Sequence, residues 1–465
     1  MLEFQELTAK EGARLRPYYE TCDYRLCEYS LGVKLMWREH LHPWFAETAG
    51  CLIVRNRIDG EWVFDYPVPG PDGDVDAALT AIESYCTDTE TPLVISVVPE
   101  EKAPELLLRW PRLRMNNERN WKDYLYRAED MAAFAGRKYS GQRNHINKFR
   151  KEYPTAKFVP LTGADMPLIE NFWADYEQEF QKTSFNAKRE LAYAKALARL
   201  LPEGWLLGGG LLVDDRLVAM SLAENCGGTL IIHVEKALYS HQGAYPTLVQ
   251  AFAAHFGGDC VYINREDDAG DRGLRTSKLQ YLPVRLAGKL RFEVQCEADR
   301  LREIPTVTTP RLTLTPLEER DEAAYNALCL DDARNRWWGY DYRQDLKGEL
   351  TEDYFLSVAR RDFAARRAVN FAVRLDRQLI GEVVLYRFDW RGGAELGCRI
   401  DPAYAGHGYG AEAFAAAADW ALFRLSLARV KAKCYKENAA SYKMLSACMR
   451  PAGEDETFFY FEKTV

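Results

Sequence analysis

Residues 394–414, AELGCRIDPAYAGHGYGAEAF, determine the fold that we predict for the C-terminal third of the chain. The stretch begins as a β-strand, passes through Gly406, Gly408 and Gly410, and ends in an alanine-rich helix that we expect to start near Ala411. Glycines at a helix N-terminus let backbone amides point into a gap, where the helix dipole favours an anion. A tight strand-to-helix turn without a ligand explains the glycines alone equally well, and their spacing differs from the dinucleotide-binding fingerprint.

An internal repeat of about one third of the chain extends outward from this stretch. Leu7, Leu161 and Leu317 each end a short strand before a helix, with spacings of 154 and 156 residues. In each third a hairpin, an apolar helix and a further strand follow, so the order β-α-β-β-β-α-β occurs three times. We therefore predict an α/β protein with mixed sheets, built from three similar domains. The predicted domains cover residues 1–154, 155–300 and 305–465.

Composition excludes several classes of protein. The 465 residues carry a net charge of −8, with 47% hydrophobic and 28% charged residues, so the chain is neither disordered nor fibrous. An acidic chain also argues against general coating of nucleic acid. The eleven cysteines are scattered without a C-x-x-C pair, which predicts neither disulfides nor a metal site. Without a signal peptide or an apolar run of membrane-spanning length, we expect a cytoplasmic protein with no membrane span.

The C-terminal third resembles a known enzyme superfamily. The stretches TPRLTLTPL, FAVRLDRQLIGEVVL, AELGCRIDPAYAGHGYGAEAF and NAASYKMLSACM, within residues 309–450, resemble the GNAT acyltransferases and their ribosomal-protein N-acetyltransferase-like branch. The resemblance implies that the glycine loop binds the pyrophosphate of coenzyme A through the backbone amides of His407, Gly408, Tyr409, Gly410 and Ala411. It also implies that the preceding strand pairs with the pantetheine arm through Cys398, Arg399 and Ile400.

The same resemblance assigns two residues beyond the next strand. Asn438 is expected to contact the pantetheine arm, and Ser441 is expected to protonate the departing thiolate. Two positions depart from the family pattern. Ala405 stands where the family often has Gln or Arg, and Met449 with Arg450 stand where the family usually has Gly-Phe. These departures predict a weaker pyrophosphate seat and an altered acceptor side.

Other interpretations of the candidate catalytic residues remain open. Asn438 is also suited to be an ordinary cap at the end of a strand, and Ser441 to expose a hydroxyl to solvent on a helix. Glu395, at the start of the loop-bearing strand, is a candidate general base, because an amine that attacks a thioester must lose a proton. A salt bridge at the strand edge is an equally good interpretation of Glu395.

An aromatic cluster precedes the third hairpin. The run RNRWWGYDY places aromatic and acidic side chains together, in a pattern suited to holding a cationic amine through cation–π and charge contacts. Packing between helices is the alternative. The candidate acceptor-binding residues are Trp337, Trp338, Tyr340 and Asp341.

The first two repeats lack a glycine loop of this kind. Prolines interrupt the equivalent place in the first repeat, and the second has only Gly243 there. Charged residues instead follow otherwise apolar strands, where α/β folds tend to place a ligand crevice. We expect four of them to converge on a second site: His233, Lys236, Arg265 and Lys278.

Residues 1–295 resemble the C-terminal catalytic domain of phosphatidylglycerol lysyltransferases. The stretches that carry the resemblance are DYLYRAEDMAAFAGRKYSGQRNHINKF, HVEKALYSHQGAYPTL and YINREDDAGDRGLRTSKLQYLP. That family is a tandem of two GNAT-like folds, so the first two domains should form one tandem unit. Its known members transfer an amino acid from aminoacyl-tRNA to a lipid, which implies tRNA as a partner of the basic stretch at residues 137–151.

Three functions follow from these patterns. The first is transfer of an acetyl group from acetyl-CoA to a small-molecule or peptide amine, with the chemistry in the third domain. The second is aminoacyl-tRNA-dependent transfer by the first two domains, and the third is binding without catalysis. The oligomeric state is not indicated by the sequence.

Overall fold

The computed structural model describes residues 2–58, 60–89, 91–180, 185–338, 343, 346 and 349–465, with the side chains at 185 and 186 excepted. The chain forms two compact units. The N-terminal unit comprises Met1–Glu105 and Arg114–Glu293, and the C-terminal unit comprises Leu106–Leu113 and Val294–Val465.

Among its described residues, the first part of the chain has seven strands and five α-helices. The strands are β1 (Gln5–Glu6), β2 (Trp44–Thr48), β3 (Cys51–Ile58), β4 (Glu61–Asp65), β5 (Val68–Pro69), β6 (Val94–Pro99) and β7 (Leu113–Asn116). The helices are α1 (Gly12–Thr21), α2 (Leu31–Met36), α3 (Arg38–Leu41), α4 (Val75–Asp88) and α5 (Ala103–Arg109).

The middle of the chain forms a second sheet and returns one strand to the first. Its strands are β8 (Asp123–Arg127), β9 (Lys157–Leu161), β10 (Leu207–Val213), β11 (Arg216–Cys226), β12 (Thr229–Ala237), β13 (Tyr262–Asn264), β14 (Arg285–Ala287) and β15 (Lys289–Val294). Its helices are α6 (Ala128–Ala133), α7 (Ser140–Glu152), α8 (Met166–Glu179), α9 (Phe185–Ala198), α10 (Ala244–Phe256) and α11 (Arg272–Leu279). The first sheet has the order β1-β2-β3-β4-β6-β15-β7, with β5 beside β3, and the second has the order β14-β8-β13-β12-β11-β10-β9.

The last part of the chain forms the third sheet. Its strands are β16 (Val307–Thr308), β17 (Thr313–Pro316), β18 (Ala368–Leu375), β19 (Gln378–Tyr386), β20 (Gly393–Ile400), β21 (Arg429–Tyr435), β22 (Arg450–Glu454) and β23 (Phe458–Thr464). Its helices are α12 (Glu322–Leu330), α13 (Asp332–Asn335), α14 (Tyr354–Ala364), α15 (Tyr409–Phe423) and α16 (Ala439–Cys448). The sheet order is β16-β17-β18-β19-β20-β21-β23-β22.

Each sheet contains one short parallel pair of strands, joined by a helix. The pairs are β4 with β6 through α4, β12 with β13 through α10, and β20 with β21 through α15. The predicted α/β class, with mixed sheets and three similar GNAT-like folds, is confirmed. The predicted domain boundaries stay a prediction, although β8 pairs within the second sheet and β15 within the first.

The third sheet separates two layers of helices. Alternate residues of β18, such as Val369 and Phe371, pack in one core with α15, and Ala372 packs with α12 and α14 on the other face. Cys296 and Ala298 also belong to the α15-side core. The segment before residue 305 is therefore anchored in this unit.

A buried ion pair ties β18 to the segment before α12. Arg374 donates two hydrogen bonds to Asp321, at 2.7 and 2.8 Å, and its Nε donates to Thr315 Oγ1 at 2.7 Å. Burial raises the pKa of Asp321, but the hydrogen bonds from Arg374 outweigh it and leave the pKa below its usual value. This pair fixes the helical layer against the sheet.

Within the described residues, no helix is both long and apolar enough to cross a lipid bilayer.

Loss of Arg374 should destabilise the C-terminal unit. Arg374→Met leaves the buried Asp321 carboxylate without its cationic partner, which should lower the free energy of unfolding by about 3 kcal/mol. The double variant Arg374→Met/Asp321→Asn should recover part of this loss. Because a chain of several domains does not unfold in two states, hydrogen exchange of β17 and β18 peptides is the suitable measurement.

The same experiment has a defined pH dependence. A carboxyl with a depressed folded pKa stabilises above its unfolded pKa of about 4, and this stabilisation is lost as pH falls through the folded pKa. The difference between wild type and Arg374→Met should therefore be full at pH 6 and shrink below about pH 4. A difference that grows in acid would contradict the assignment.

Candidate functional site

Strands β20 and β21 part soon after they meet. They pair in parallel at only three positions, from Gly393 with Arg429 to Glu395 with Lys431. β20 continues to Ile400 in register with β19, and β21 continues in register with β23. The facing edges of the two strands beyond Glu395 are therefore free of ladder partners.

A cavity of about 420 Å³ occupies the space where the strands part. Its wall includes Leu396, Cys398 and Phe414 from the α15 side of the sheet. It also includes Phe355 and Ala359 from α14, on the opposite side. The cavity thus connects both faces of the third sheet, which is the arrangement needed for two substrates to meet from opposite faces.

The glycine loop forms the N-terminus of α15. The helix begins at Tyr409, two residues earlier than the sequence predicted, because Gly408 takes a left-handed conformation (φ +80°) and acts as the N-cap. Gly406 also has a positive φ of 82°, and a Cβ atom there would find nothing within 4 Å. The first amides of a helix have no partner within it, so this loop offers them to solvent.

A positive charge lies beside these amides. Arg311 donates to the carbonyl of His407 at 2.9 Å and stacks 4.7 Å from the centre of the Tyr409 ring. Glu412, in the first turn, accepts from Arg311 Nε at 2.6 Å and from the Thr309 hydroxyl at 2.6 Å. Burial raises the pKa of Glu412, but these hydrogen bonds outweigh it and hold the pKa below its usual range. The acid in the first turn of α15 is thus already paired with Arg311.

The two equivalent helix N-termini of the N-terminal unit are closed. At α4, the Asp74 carboxylate accepts from the amide of Ala77 at 3.0 Å, so an acid already occupies the place of an anion. At α10, a Cβ on Gly243 would meet the His145 carbonyl at 2.7 Å, since α7 packs against the turn. Of the three equivalent helix N-termini, the one at α15 is open.

Asn438 and Ser441 both line the cavity, on the first turn of α16. Asn438 Oδ1 accepts from the backbone amide of Ser441 at 3.1 Å, so the capping interpretation holds for this atom. Asn438 Nδ2 has no acceptor within the part of the chain that the structure describes. It therefore remains available to a carbonyl group in the cavity.

The residues predicted on β20 divide between the two faces. Cys398 and Ile400 pack with the α15-side core, and Cys398 Sγ lies 3.8 Å from the Gly410 carbonyl. Burial raises the pKa of the Cys398 thiol to about 12. Arg399 points to the other face, where its guanidinium contacts Glu382 and Asn335. Arg399 can therefore bind a pantetheine arm along the strand edge only through its backbone N–H and C=O groups.

Glu395 lies behind the cavity wall rather than in it. Its carboxylate accepts from Arg387 Nη1 at 3.3 Å, which agrees with the salt-bridge interpretation. Tyr386 does line the cavity, and burial, followed by the charge of the neighbouring Glu395 carboxylate, raises the pKa of Tyr386. Of these two residues, Tyr386 lines the cavity and Glu395 does not.

Two of the four predicted acceptor residues line the cavity, and two lie outside the described residues. The ring centres of Trp337 and Tyr435 are 5.8 Å apart. Trp338 lies against Gly397, because a Cβ atom on this glycine would be 3.2 Å from the indole of Trp338. Tyr340 and Asp341 are the predicted residues that the description does not include.

The sequence reasoning missed Glu382, the acid at the floor of the cavity. It lies on β19, its side chain is 1% exposed, and it accepts from Arg399 Nε at 2.5 Å and from the Tyr325 hydroxyl at 2.8 Å. A single acid within the apolar strand QLIGEVVLY was the available signal, because an unpaired buried charge would be costly.

The predicted second site is brought together in part. His233 Nε2 lies 2.9 Å from Glu224, and Nδ1 lies 3.1 Å from Glu266. Burial lowers the pKa of His233, but the hydrogen bonds to the two glutamates outweigh burial and raise the pKa to about 9. Lys278 Nζ donates to the Arg265 carbonyl at 2.6 Å, next to Glu266. His233, Lys278 and the Arg265 backbone are therefore neighbours.

The charged side chains of this predicted site are partnered within the chain. Arg265 pairs with Glu235 at 2.6 Å, and Lys236 pairs with Glu190 on α9 at 2.9 Å. Lys236 shares no partner with the other three among the described residues. Binding of a ligand by this group stays a prediction.

A further buried cluster surrounds Lys289 in the N-terminal unit. Its ammonium lies 2.7 Å from Glu28, 2.7 Å from Asp123 and 3.2 Å from Asp267, and 3.3 Å from the Cys27 sulfur. Burial raises the pKa of Glu28 to about 7. The thiol and carboxylates of Cys27, Glu28 and Asp267 lie as close together as metal ligands. The Lys289 ammonium is a cation that all three of these groups contact.

Comparison with known proteins gives two matches to family models. Residues 19–289 match the family described as phosphatidylglycerol lysyltransferase, C-terminal. Residues 311–448 match the acetyltransferase (GNAT) domain. Both are models of group-transfer domains, and together they confirm the two resemblances drawn from the sequence.

Individual relatives cover parts of the chain. A conserved protein of unknown function from Bacteroides thetaiotaomicron VPI-5482 is 29% identical, with a TM-score of 0.55, and the match covers 63% of this chain and 99% of that one. A GNAT-family acetyltransferase from Bacillus anthracis is 22% identical, with a TM-score of 0.30, over 34% of this chain and 98% of that one.

A curated protein also matches. An uncharacterized protein from Mycoplasmoides gallisepticum is 24% identical over 176 residues, which are 37% of this chain and 56% of that protein. The chain thus spans little more than half the length of this curated relative. Because the first family model covers more than half of its residues, the chain belongs to the phosphatidylglycerol lysyltransferase C-terminal family, and it carries a GNAT acetyltransferase domain at residues 311–448.

Proposed function

We propose that the C-terminal unit transfers an acetyl group from acetyl-CoA to the nitrogen of a small-molecule or peptide amine. The observation that carries the proposal is the cavity at the parting of β20 and β21, beside an open helix N-terminus. The match to a GNAT acetyltransferase domain supports the same reaction.

The glycine loop suits a pyrophosphate. The first amides of α15 have no partner within the helix, and a Cβ atom on Gly406 would meet nothing within 4 Å. Arg311 compensates for Ala405 at the position where relatives often carry Gln or Arg. Its guanidinium would lie 3.4 Å from a Cβ on Gly408, so its positive charge reaches the same place.

The edge of β20 suits an extended chain of amide groups. Residues 396–400 keep their ladder with β19 but have no strand on the other side. Their free backbone groups would pair with the pantetheine arm, as in strand addition. Asn438 Nδ2 supplies a further donor at the end of this edge.

The chemistry requires a proton acceptor and a proton donor. The neutral amine attacks the thioester carbonyl, a C–N bond forms, and the C–S bond breaks to release the thiolate. Ser441 gives its hydroxyl proton to that thiolate as it leaves and takes a proton back from solvent. Glu395, beside the cavity-lining Tyr386, takes up the proton lost by the amine and releases it to solvent.

Gly408→Glu should abolish binding of acetyl-CoA. A carboxylate at the loop repels the pyrophosphate, and a side chain there blocks the close approach of backbone to phosphate. Isothermal titration of acetyl-CoA into wild type and variant measures the effect. Gly204→Glu is the matched control, since Gly204 also has a positive φ of 77° and open space around its Cβ position. Equal affinity in wild type and Gly408→Glu, or no binding to wild type, would remove the proposal.

Ser441→Ala should leave binding of acetyl-CoA unchanged and lower kcat by roughly 10²-fold, because the hydroxyl acts only on the departing thiolate. Ser446→Ala, an exposed serine on the same helix, should leave both quantities unchanged. Steady-state release of free thiol, with titration of acetyl-CoA, separates the two effects. A rise in Kd without a change in kcat would assign Ser441 to binding instead.

A second candidate function is aminoacyl transfer by the N-terminal unit. The family match over residues 19–289 favours it, and α7 exposes Lys148, Arg150 and Lys151 at its C-terminal end. Incubation with tRNA charged with radiolabelled lysine, in the presence of phosphatidylglycerol vesicles, tests it. Label in the lipid would establish aminoacyl transfer, and label that stays on tRNA with no retention of RNA by the protein would exclude it.

A further inference from the structure

At the floor of the cavity, the described charged groups are paired with each other. Glu382 and Arg399 form a buried pair on neighbouring strands, with side chains 1% and 10% exposed. Tyr325 donates to the second carboxylate oxygen at 2.8 Å. Burial lowers the pKa of Arg399, but the Glu382 carboxylate outweighs it and raises the pKa, so the guanidinium keeps its charge. The acid at the floor is thus cancelled by a permanent cation.

The other charged groups of the described cavity wall are also partnered. Asp362 accepts from Arg367 at 2.7 Å, and Arg387 donates to Glu395 at 3.3 Å. Lys433 lies 4.6 Å from the centre of the Phe458 ring. Within the described part of the wall, no carboxylate is left to balance an ammonium group brought by a substrate.

The two indoles already have cationic partners. The Arg399 guanidinium lies 4.5 Å from the centre of the Trp338 ring, and Arg336 lies 4.5 Å from the centre of the Trp337 ring. An aromatic face that stacks on the chain's own arginine gains little from a second cation. The remaining indole surface, with Phe355 on the other wall, therefore suits an apolar group.

One polar atom near the floor has no partner. Asn370 Oδ1 is buried and accepts no hydrogen bond from the described residues, while its Nδ2 donates to Glu382 at 3.4 Å. A neutral amine donates an N–H and keeps its lone pair free for attack. Asn370 Oδ1 is thus suited to orient such an amine without adding charge.

We infer that the acceptor is a monoamine with an aliphatic or aromatic body, and that the Glu382–Arg399 pair excludes diamines and polyamines. This inference rests on the proposed function, because it concerns the second substrate of the same cavity. Burying a second ammonium beside Arg399 and Lys433 would cost desolvation, and each described carboxylate of the wall already has a partner. Charge balance at the floor, rather than cavity size, then determines which amines react.

Pentylamine and 1,5-diaminopentane are a matched pair of substrates for the test. They have the same chain length and differ only in the second ammonium. With acetyl-CoA and wild-type protein, kcat/KM for pentylamine should exceed that for 1,5-diaminopentane by at least about tenfold. Release of free thiol gives the rate, and mass spectrometry identifies the acetylated amine.

Arg399→Leu uncovers the Glu382 carboxylate and should shift the ratio of the two kcat/KM values by about tenfold toward the diamine. Arg399→Leu/Glu382→Gln removes both charges and should restore the preference for pentylamine. A merely structural role of Arg399 would lower both rates together and leave the ratio unchanged. If Arg399→Leu does not fold, the wild-type ratio and the double variant decide.

The outcomes separate this inference from the proposed function. Binding of acetyl-CoA with equal or better acetylation of 1,5-diaminopentane by wild type overturns the inference alone. Binding of acetyl-CoA with no acetylation of either amine also overturns it. Absence of acetyl-CoA binding removes the proposed function, and the inference with it.

Discussion

The parting of two parallel strands is the feature on which the rest of the C-terminal unit depends. β20 and β21 share only three register pairs, so each then has an edge of backbone N–H and C=O groups without ladder partners. Buried backbone groups of this kind need a partner, because leaving one unsatisfied costs free energy comparable to a lost hydrogen bond. The unpaired edges therefore border a space, and their backbone groups need hydrogen-bond partners. A bound chain of amides would supply these partners.

In the first two sheets the parallel pairing stops after two and three positions, and groups of the chain itself bond to the backbone beyond it. In the first sheet, the Tyr29 hydroxyl donates to the Val97 carbonyl of β6 at 2.9 Å. In the second, Lys278 Nζ donates to the Arg265 carbonyl just beyond β13 at 2.6 Å. The helix N-termini follow the same division, with α4 and α10 closed and α15 open. The three copies of the fold thus differ in which groups lie beyond the paired part of the parallel strands. Function depends on those groups rather than on the fold.

The sequence was informative where a pattern is local and ambiguous where contacts are long-range. The three repeats, the hairpins and the glycine loop could be predicted because strand and helix periodicity and glycine spacing are local properties. The start of α15 was wrong by two residues, since Gly408 caps the helix instead of preceding it as loop. Glu382 and Arg399 were not predicted as partners because their pairing depends on the register of β19 with β20, which no local pattern reports.

Buried ion pairs lie beside the parting strands in all three sheets, yet they do not have the same consequence. In the first sheet Lys34 lies 2.5 Å from Asp65, and in the second His233 lies between two glutamates. Such pairs contribute little net stability, because desolvation offsets their attraction, but they specify which groups can pack together. In the third sheet the stack of Arg399 on Trp338 directs the guanidinium toward the α12 side. Because the pair is held at one wall, the 420 Å³ beside it stays open for two substrates to meet.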